Sequence, residues 1–388
     1  MVAGEFPPLH GGLGDYTNLL CEHLVPLGIE VGVVTAKAAG ESARGKGFPV
    51  APAVAHWDLM CWPELGKRIR TMNANVIHVQ YQTAAYGLHP AINLLPLALH
   101  MAKNPAKVVF TFHDLQAPYK AWLRGPARGM AMRVGERYCD GFVATNSADF
   151  QQLLASQPGP PSARYHLIPI GANVLNHPPR RYTRDALRKR LGATARTLLL
   201  SHFGLLNQSK GLQDLLVAIK LLVEQGRDVR LVLIGGTTGS SDVTNMAFAN
   251  DVRAQIQQLG LGGRVVETGF LEPEQVTAHL LACDACVLPY RDGASFRRGT
   301  LMAALEHGLC LVTTQPAEVD LVDGINARLA DPGNPVNLAR VIDDLAEDEV
   351  TRRRLGLEAA KLGKRFGWPS IAEKHLGLYL ELLEETVA

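Results

Sequence analysis

The most informative stretch of this chain is residues 292–308, DGASFRRGTLMAALEHG, which follows the apolar run ACVLPY at 285–290. The apolar run predicts a short buried β-strand. The residues after it predict a loop and then a helix that begins at about Gly299 or Thr300 and ends at Gly308, because a glycine just past the last apolar position is a common helix stop. We therefore predict a strand, a loop and a helix in succession, as in α/β proteins.

The loop between that strand and that helix is rich in hydrogen-bond donors. It carries the guanidinium groups of Arg297 and Arg298 and the hydroxyl group of Ser295. Backbone N–H groups at the helix start add further donors and a dipole that favours negative charge. Together they offer more donors than one carboxylate can use, so the loop predicts a diphosphate-binding site.

Short apolar segments alternate with longer helical patterns along the whole chain. Nearly continuous apolar strands between helices predict parallel sheets that are covered on both faces. Two such sets predict two doubly wound, Rossmann-like domains, with a junction near residues 174–181 (VLNHPPRR). The predicted strands are residues 31–35, 76–80, 108–113, 141–145 and 166–170 in the first domain, and 197–203, 230–234, 265–268, 285–289 and 309–313 in the second.

Length and composition are those of an ordinary globular protein. The chain has 388 residues, of which 47% are hydrophobic and 20% charged. A chain of this length exceeds one common core, so about two domains are expected. Its six cysteines are scattered, and no segment typical of a signal peptide precedes the first predicted element. A reducing, cytoplasmic location is therefore expected.

Charge and hydropathy limit the classes of partner. The formal net charge of +2 makes no electrostatic case for nucleic acid. The longest apolar stretch, residues 91–102, is too short to span a bilayer. Residues 120–137 mix basic side chains with one tryptophan and two methionines. A weak peripheral contact with an anionic membrane is left open there, beside the alternative of a solvated helix.

A glycine-rich loop near the start, EFPPLHGGLGDY at 5–16, precedes a predicted helix at 16–27. Its Gly11, Gly12 and Gly14 would let backbone amides approach a ligand closely, although a tight turn alone would also use them. The loop is not the G-x-G-x-x-G fingerprint, and no acidic residue ends the second predicted strand. A dinucleotide-dependent dehydrogenase is therefore disfavoured.

Two further side chains stand after predicted strands, where open α/β sheets bind ligands. His113 ends the strand VVFTFH and could donate a hydrogen bond to a substrate hydroxyl or oxyanion, with a satisfied structural histidine as the alternative. Lys210 lies at the predicted start of an amphipathic helix, where the helix dipole disfavours a lysine unless an anion is present. It therefore predicts an anion contact, with a solvated surface lysine as the alternative.

The ordered set of these segments resembles the retaining glycosyltransferases of the GT-B fold, specifically glycosyltransferase family 4. Each segment alone is weak evidence, but the set is specific and spans nearly the whole chain. The segments are EFPPLHGGLGDYTNLL, TFHDL, IPIGANV, FGLLNQSKGLQDLLVAI, LVLIGG, VVETGFL, LPYRDG, LEHGLCLVTT and RFGWPSIAEKHLGLY.

The resemblance implies two Rossmann-like domains that face one another across a cleft holding the active site. Residues 1–176 would bind the acceptor, residues 177–368 would bind the nucleotide sugar, and a helix at 369–388 would return to the first domain. The implied reaction moves a hexose from a nucleoside-diphosphate sugar to a hydroxyl acceptor, with retention of anomeric configuration. It would need no cofactor and no obligatory metal ion, and would serve polysaccharide, glycolipid or other glycoconjugate synthesis.

The resemblance also implies roles for single residues. Lys210 matches the family's diphosphate-binding lysine, His113 would approach the donor sugar, and the amides around Gly12 would approach the diphosphate or the sugar. The predicted catalytic residues are His113, Lys210, Arg297 and Arg298. The predicted donor-binding residues are Gly12, Leu13, Gly204, Gly269, Phe270, Leu271, Asp292, Ser295, Phe296, Gly299, Thr300 and Glu306, of which Gly269, Phe270 and Leu271 would lie beside the base.

Three positions depart from the residues usual in the family. Leu205 stands where an arginine is usual, and Ser295 and Ala303 stand where two glutamates are usual. The usual contacts to the donor sugar and to the ribose are therefore missing at their usual positions.

Other residues offer compensation. We hypothesise that Arg297 or Arg298 replaces the missing arginine, since both lie in the predicted anion site. Glu306, one helical step from position 303, would face the ribose, and Asp292 would serve the sugar.

Two alternatives stay open. GGLGD at 11–15 also resembles glycogen-synthase-like enzymes, so another GT-B enzyme, such as one of these or a nucleotide-sugar epimerase, is one. The missing glutamates favour the other, a non-catalytic nucleotide-sugar-binding partner of a transferase. The donor base, the sugar, the acceptor and the oligomeric state are not determined by the sequence.

Overall fold

The computed structural model describes most of the chain as two compact units. One unit comprises Met1–Gly171 with Trp368–Ala388, and the other comprises Ala172–Gly367. The residues that the structure describes are 1–9, 11–41, 43–45, 47–113, 115, 125–204, 207–236, 244–316 and 320–384, without the side chains of 125–128 and 244–246.

The first unit is built around a seven-stranded parallel sheet in the order β3-β2-β1-β4-β5-β6-β7. Its central strands are nearly continuous runs of buried apolar residues, because helices cover both faces. The elements are β1 Val2–Ala3, α1 Gly12–Leu24, β2 Val33–Ala36, β3 Val50–Val54, α2 Cys61–Met72, β4 Val76–Tyr81, α3 Leu95–Met101, β5 Lys107–Phe112, α4 Gly125–Glu136, β6 Gly141–Ala144, α5 Ser147–Ser156 and β7 Arg164–Leu167.

The second unit has a six-stranded parallel sheet in the order β10-β9-β8-β11-β12-β13. Its core joins β8, β9 and β11 to the apolar faces of α7, α8 and α11. The elements are α6 Arg184–Arg190, β8 Leu198–Phe203, α7 Leu212–Glu224, β9 Val229–Ile234, α8 Thr244–Gln258, β10 Val265–Glu267, α9 Pro273–Ala282, β11 Ala285–Leu288, α10 Gly299–Glu306, β12 Leu311–Thr314, β13 Arg328–Ala330, α11 Pro335–Asp343 and α12 Glu349–Gly363.

The last helix, α13 (Trp368–Glu384), belongs to the first unit, where it packs against α1. Its buried residues recur at helical spacing and include His375, Leu378, Tyr379 and Leu382. The two leucines reach the start of β6, since a Cβ atom on Gly141 would lie 3.3 Å from one and 3.4 Å from the other. Burial of each such side chain contributes about 1.5–3 kcal/mol.

The predicted fold class, two doubly wound α/β domains with parallel sheets, is confirmed. The sequence patterns missed two sheet edges, β3 and β13. β3 contains Pro52, which an edge strand tolerates because one side of it needs no ladder hydrogen bonds. β13 has three residues and only one is buried, so it shows no apolar run.

Gly211, between Lys210 and α7, is a position where an added side chain should be costly. Its φ is +65°, and a Cβ atom there would lie 1.9 Å from the carbonyl oxygen of Pro289. Gly226 also has a positive φ (+84°) but has open space around it. Gly211→Ala should therefore lower the free energy of unfolding by about 2 kcal/mol more than Gly226→Ala, measured by urea denaturation. Equal losses would mean that the contact with Pro289 relaxes freely.

Candidate functional site

The sheet of the second unit changes winding direction between β8 and β11, which are hydrogen-bonded neighbours. In open parallel sheets, ligands bind beyond the carboxyl ends of the strands at such a point. The topology brings together the loops that follow β8 and β11, which carry the predicted site residues Gly204, Lys210, Asp292, Ser295, Phe296, Arg297 and Arg298.

The two loops approach each other closely at Gly204, which directly follows β8. A Cβ atom on Gly204, whose φ is +110°, would lie 2.5 Å from Nζ of Lys210 and 2.6 Å from Cγ2 of Thr300. Lys210 and Thr300, from different loops, therefore converge on one glycine. Lys210 ends a 3₁₀ turn, Gln208–Lys210, and Gly211 separates it from α7, so it directly precedes the helix start that the sequence predicted.

Lys210 lies in an electropositive environment. Burial, and in second place the positive charge of Arg298, lower the pKa of Lys210 to about 8. The positive charges of Lys210 and Arg298 repel each other, and a bound anion would offset that repulsion.

Arg298 is held in place by the residues around it. It forms an ion pair with Asp292, and its guanidinium carbon lies 4.4 Å from the ring centroid of Tyr290, within cation–π distance. Its Nη1 donates to Oγ of Ser209 at 3.4 Å, while its buried Nε has no partner within the described residues. The hydroxyl groups of Tyr290 and Thr300 lie 2.6 Å apart, which ties this ring to the start of α10.

The start of α10 adds backbone donors at the same place. Arg298 is its N-cap residue and makes no side-chain capping bond within the described residues. The first N–H groups of a helix have no intrahelical partner, and the dipole there favours negative charge. Gly299 and Thr300, the first two residues of α10, were both predicted to bind the donor.

A cavity of about 330 Å³ adjoins Gly204. Three of the predicted residues line it: Gly204, Gly269 and Phe270, which is 56% exposed. Lining residues that the sequence patterns did not indicate are His202, Leu233, Ile234, Gly235, Gly236, Arg253 and Glu267. Leu271 follows Phe270 and is half-buried, and it is not among the residues lining this cavity.

Two predicted donor-binding residues, Phe296 and Glu306, have other surroundings. Phe296 is buried against Phe366 with ring centroids 4.8 Å apart, so it is a packing residue. Glu306 ends α10, at the helix end opposite the anion site, and lines a different cavity with His307 and Leu357. A step of i+3 from position 303 moves along the helix axis as well as around it.

The other predicted site residues of the β11–α10 loop differ in what they contact. The hydroxyl oxygen of Ser295 lies 3.5 Å from the backbone N–H of Arg297, which donates to it. Asp292 is engaged by Arg298 rather than left for a sugar. It is Arg298, and not Arg297, whose charge lowers the pKa of Lys210.

In the first unit, His113 directly follows β5. Its Nε2 lies 2.9 Å from Oε1 of Gln80, and its ring packs edge-on against Tyr16 with centroids 4.6 Å apart. Burial, and in second place the charge of His375, lower the pKa of His113 to about 3. The imidazole is therefore neutral at pH 7.

The start of α1 is already occupied by a carboxylate of the chain. α1 begins at Gly12, earlier than predicted, and the backbone N–H of Leu13 donates to Oε1 of Glu5 at 3.3 Å. A Cβ atom on Gly11 would lie 1.9 Å from the same oxygen. The Leu13 amide, which was predicted to approach the diphosphate or the sugar, therefore already has an acceptor in Glu5. Gly12 remains exposed.

Two kinds of feature are absent from the described residues. These residues contain no group of three or more His, Cys, Asp or Glu side chains arranged to hold a metal ion. Among their helices, none combines the length and the apolar character needed to cross a membrane. Leu205, and residues 116–124 of the basic segment, lie outside the described residues.

Two family models match the chain. The model described as Glycosyltransferase Family 4 matches residues 10–174, and the model described as Glycosyl transferases group 1 matches residues 197–348. The chain belongs to the family 4 glycosyltransferases. The predicted resemblance is thereby confirmed.

Relatives of this family 4 chain agree with that assignment. The D-inositol 3-phosphate glycosyltransferase of Corynebacterium diphtheriae is 27% identical over 219 residues, which are 55% of this chain and 49% of the relative. The chain thus spans about half the length of this curated relative.

Solved structures share the fold. Sucrose-phosphate synthase from Thermosynechococcus elongatus has a TM-score of 0.75 and 19% identity, covering 97% of this chain and 94% of that one. Anabaena HepE, in complex with UDP and glucose, has a TM-score of 0.73 and 19% identity, covering 97% of each chain. The predicted GT-B fold is confirmed.

Proposed function

We propose that this family 4 glycosyltransferase moves a sugar from a nucleoside-diphosphate sugar to a hydroxyl acceptor with retention of anomeric configuration. The observation that supports it most is the convergence of Lys210 and Thr300 on Gly204, with Arg298 as the N-cap of α10 and close enough to lower the pKa of Lys210. A diphosphate has enough acceptor oxygens for an ammonium group, a guanidinium group and backbone amides together, whereas one carboxylate does not.

Arg298 is the proposed replacement for the arginine that is usual at position 205. Its guanidinium group reaches the neighbourhood of Lys210 from the β11–α10 loop, where Tyr290 and Ser209 hold it. The site then has as many cations as is usual in the family, but one of them comes from the β11–α10 loop instead of the loop after β8. Arg297 has no such role in this proposal.

The chemistry follows from where charge develops. Transfer breaks the bond between the anomeric carbon and the diphosphate oxygen, which leaves negative charge on the phosphate. Lys210, Arg298 and the start of α10 would stabilise that charge, at about 3–4 kcal/mol for each well-placed donor. The departing phosphate oxygen would take the acceptor proton on the same face of the sugar. We assign no side chain as a covalent nucleophile.

The cavity beside Gly204 is the proposed nucleoside site. Gly269 and Phe270 line it, and the exposed ring of Phe270 offers a face on which a base can stack. His113 and the exposed Gly12 of the first unit are the proposed sugar contacts. Glu306 and Phe296 are not part of the proposed site.

The comparisons suggest which substrates to test first. UDP-sugars are the first donors, because HepE was solved with UDP. An inositol phosphate is the first acceptor, because a curated relative is named for it. We propose that the reaction needs no divalent ion, since Lys210 and Arg298 can neutralise the leaving group.

The test is product analysis with a panel of nucleotide sugars, with and without acceptors, in buffer containing EDTA. Free nucleoside diphosphate and a new glycoside of unchanged anomeric configuration are expected. An epimerised donor or an elongated glucan would instead support another GT-B enzyme. Binding by calorimetry without hydrolysis or transfer of any donor would support the non-catalytic partner.

Binding of the nucleoside diphosphate should depend on pH through Lys210. With a pKa of about 8 in the free protein, Lys210 is charged below pH 8 and loses its charge above it. The affinity should therefore be steady from pH 6.5 to 7.5 and fall by up to about tenfold for each pH unit above 8. Calorimetry across this range measures it. Lys210→Arg, which stays charged, should flatten the profile; an unchanged profile in that variant would exclude Lys210 as the cause.

A further inference from the structure

Gln80, on β4, is fully buried and contacts His113 with its carboxamide oxygen at 2.9 Å. An amide oxygen can only accept a hydrogen bond, so Nε2 of His113 must carry the proton in this contact. In a neutral imidazole the other nitrogen then has a lone pair and no proton. His113 therefore offers Nδ1 as an acceptor.

The orientation of the Gln80 amide is supported from its other side. Its Nε2 lies 3.4 Å from Nε2 of His78 and 3.9 Å from Sδ of Met1, and both of these atoms can accept. Nδ1 of His78 lies 2.6 Å from the hydroxyl oxygen of Tyr379, which can accept the His78 proton and leave its Nε2 unprotonated. The reversed amide would instead donate its NH2 group to an unprotonated Nε2 of His113 and so select the opposite tautomer, which makes the tautomer a direct readout of the amide orientation.

These contacts form one buried row of polar groups from α13 to the end of β5. Tyr379 of α13 contacts His78, His78 is near Gln80, and Gln80 contacts His113. Polar groups buried at this depth are costly unless they are hydrogen-bonded, so the row has a strongly preferred arrangement. His113, at the end of the row, is partly exposed at the carboxyl edge of the sheet.

We infer that Gln80 is a positioning residue that holds His113 in the Nε2–H tautomer, so that Nδ1 accepts a hydrogen bond from a sugar hydroxyl group. The inference rests on the proposed function, which makes the ligand a sugar. It reverses the role expected from the sequence, in which His113 donates. An acceptor lone pair attracts a neutral hydroxyl group and repels a phosphate oxygen, so this position would select the sugar rather than the diphosphate.

The tautomer can be measured without any substrate. In protein labelled with ¹⁵N-histidine, the His113 signals are assigned by their loss in His113→Phe. The expected spectrum at pH 7 shows a protonated Nε2 and an unprotonated Nδ1. In Gln80→Met, which keeps the shape but removes the amide oxygen, the two tautomers should be mixed. A protonated Nδ1 in the unaltered protein, or an unchanged tautomer in Gln80→Met, would overturn the inference.

Kinetics then separate positioning from general stability. Gln80→Met should raise the KM for the donor about tenfold with a smaller change in kcat. The matched control is Thr35→Val, since Thr35 is equally buried, lies on β2 of the same sheet and has a hydroxyl group without a hydrogen-bond partner among the described residues. The control should leave the His113 tautomer and the KM unchanged; an equal rise in KM in both variants would reduce Gln80 to a structural role. If the protein turns over no donor, the proposed function is wrong, and the measured tautomer of His113 still tests whether Gln80 positions it.

Discussion

Replacement of Lys210 by alanine is expected to lower kcat/KM for the donor by about 100- to 1000-fold, the usual cost of removing one preorganised donor at a developing negative charge. The expectation is large because Lys210 lies against Gly204, where the two ligand-binding loops of the second unit meet. The positive charge of Arg298 also lowers the pKa of Lys210, and a bound diphosphate would offset the repulsion between the two cations. Donor titrations in a nucleoside-diphosphate release assay measure the change.

Lys220 provides the matched control. It lies on α7, the helix that follows Lys210, and it forms an exposed i,i+4 pair with Glu224 at 3.2 Å. Lys220→Ala removes the same charge from the same unit, but exposed pairs contribute little, so less than about a twofold change is expected. If Lys210→Ala also stayed within that range, the diphosphate would not be bound at this site.

Arg298→Ala is expected to lower kcat/KM by about 100-fold, whereas Arg297→Ala should change it by less than about threefold. The two arginines are adjacent in sequence and equal in charge, so each controls for the other. Only Arg298 is held on Tyr290 and lowers the pKa of Lys210. Calorimetry with the nucleoside diphosphate should show the same ranking.

A comparable loss in both arginine variants would point to a diffuse positive potential rather than a defined contact. Removal of Arg298 should also raise the pKa of Lys210, because the nearest positive charge is gone. The decline in nucleotide affinity above pH 8 should then move to higher pH. A profile that stays in place would contradict the proposed closeness of the two side chains.

Local sequence patterns predicted most of the fold because parallel strands covered on both faces are continuous apolar runs. β5 and β8 have that pattern and were found within about a residue of their ends. β3 and β13 lack it, since edge strands are only half covered. The order of segments then identified the family, which the two family models confirmed.

The sequence predicted the roles of single residues less well, because each role depends on where a side chain points and on partners that are distant in the sequence. Arg297 and Arg298 are adjacent, so the sequence did not show which of them lies near Lys210. Helical periodicity predicted the face on which Glu306 lies but not its distance along α10 from the anion site. No pattern indicated that Glu5 would fill the start of α1. Gln80 stands at the end of a predicted strand, which is a usable signal, but its contact with His113 spans 33 residues.

The amino-acid sequence by itself determined the two parallel sheets and the family, because these depend on hydropathy period and on the order of short segments. Tertiary structure alone decided which arginine lies near Lys210 and which nitrogen of His113 contacts Gln80. Those features are set by contacts between loops and strands that only the folded sheets bring within a few ångströms of each other.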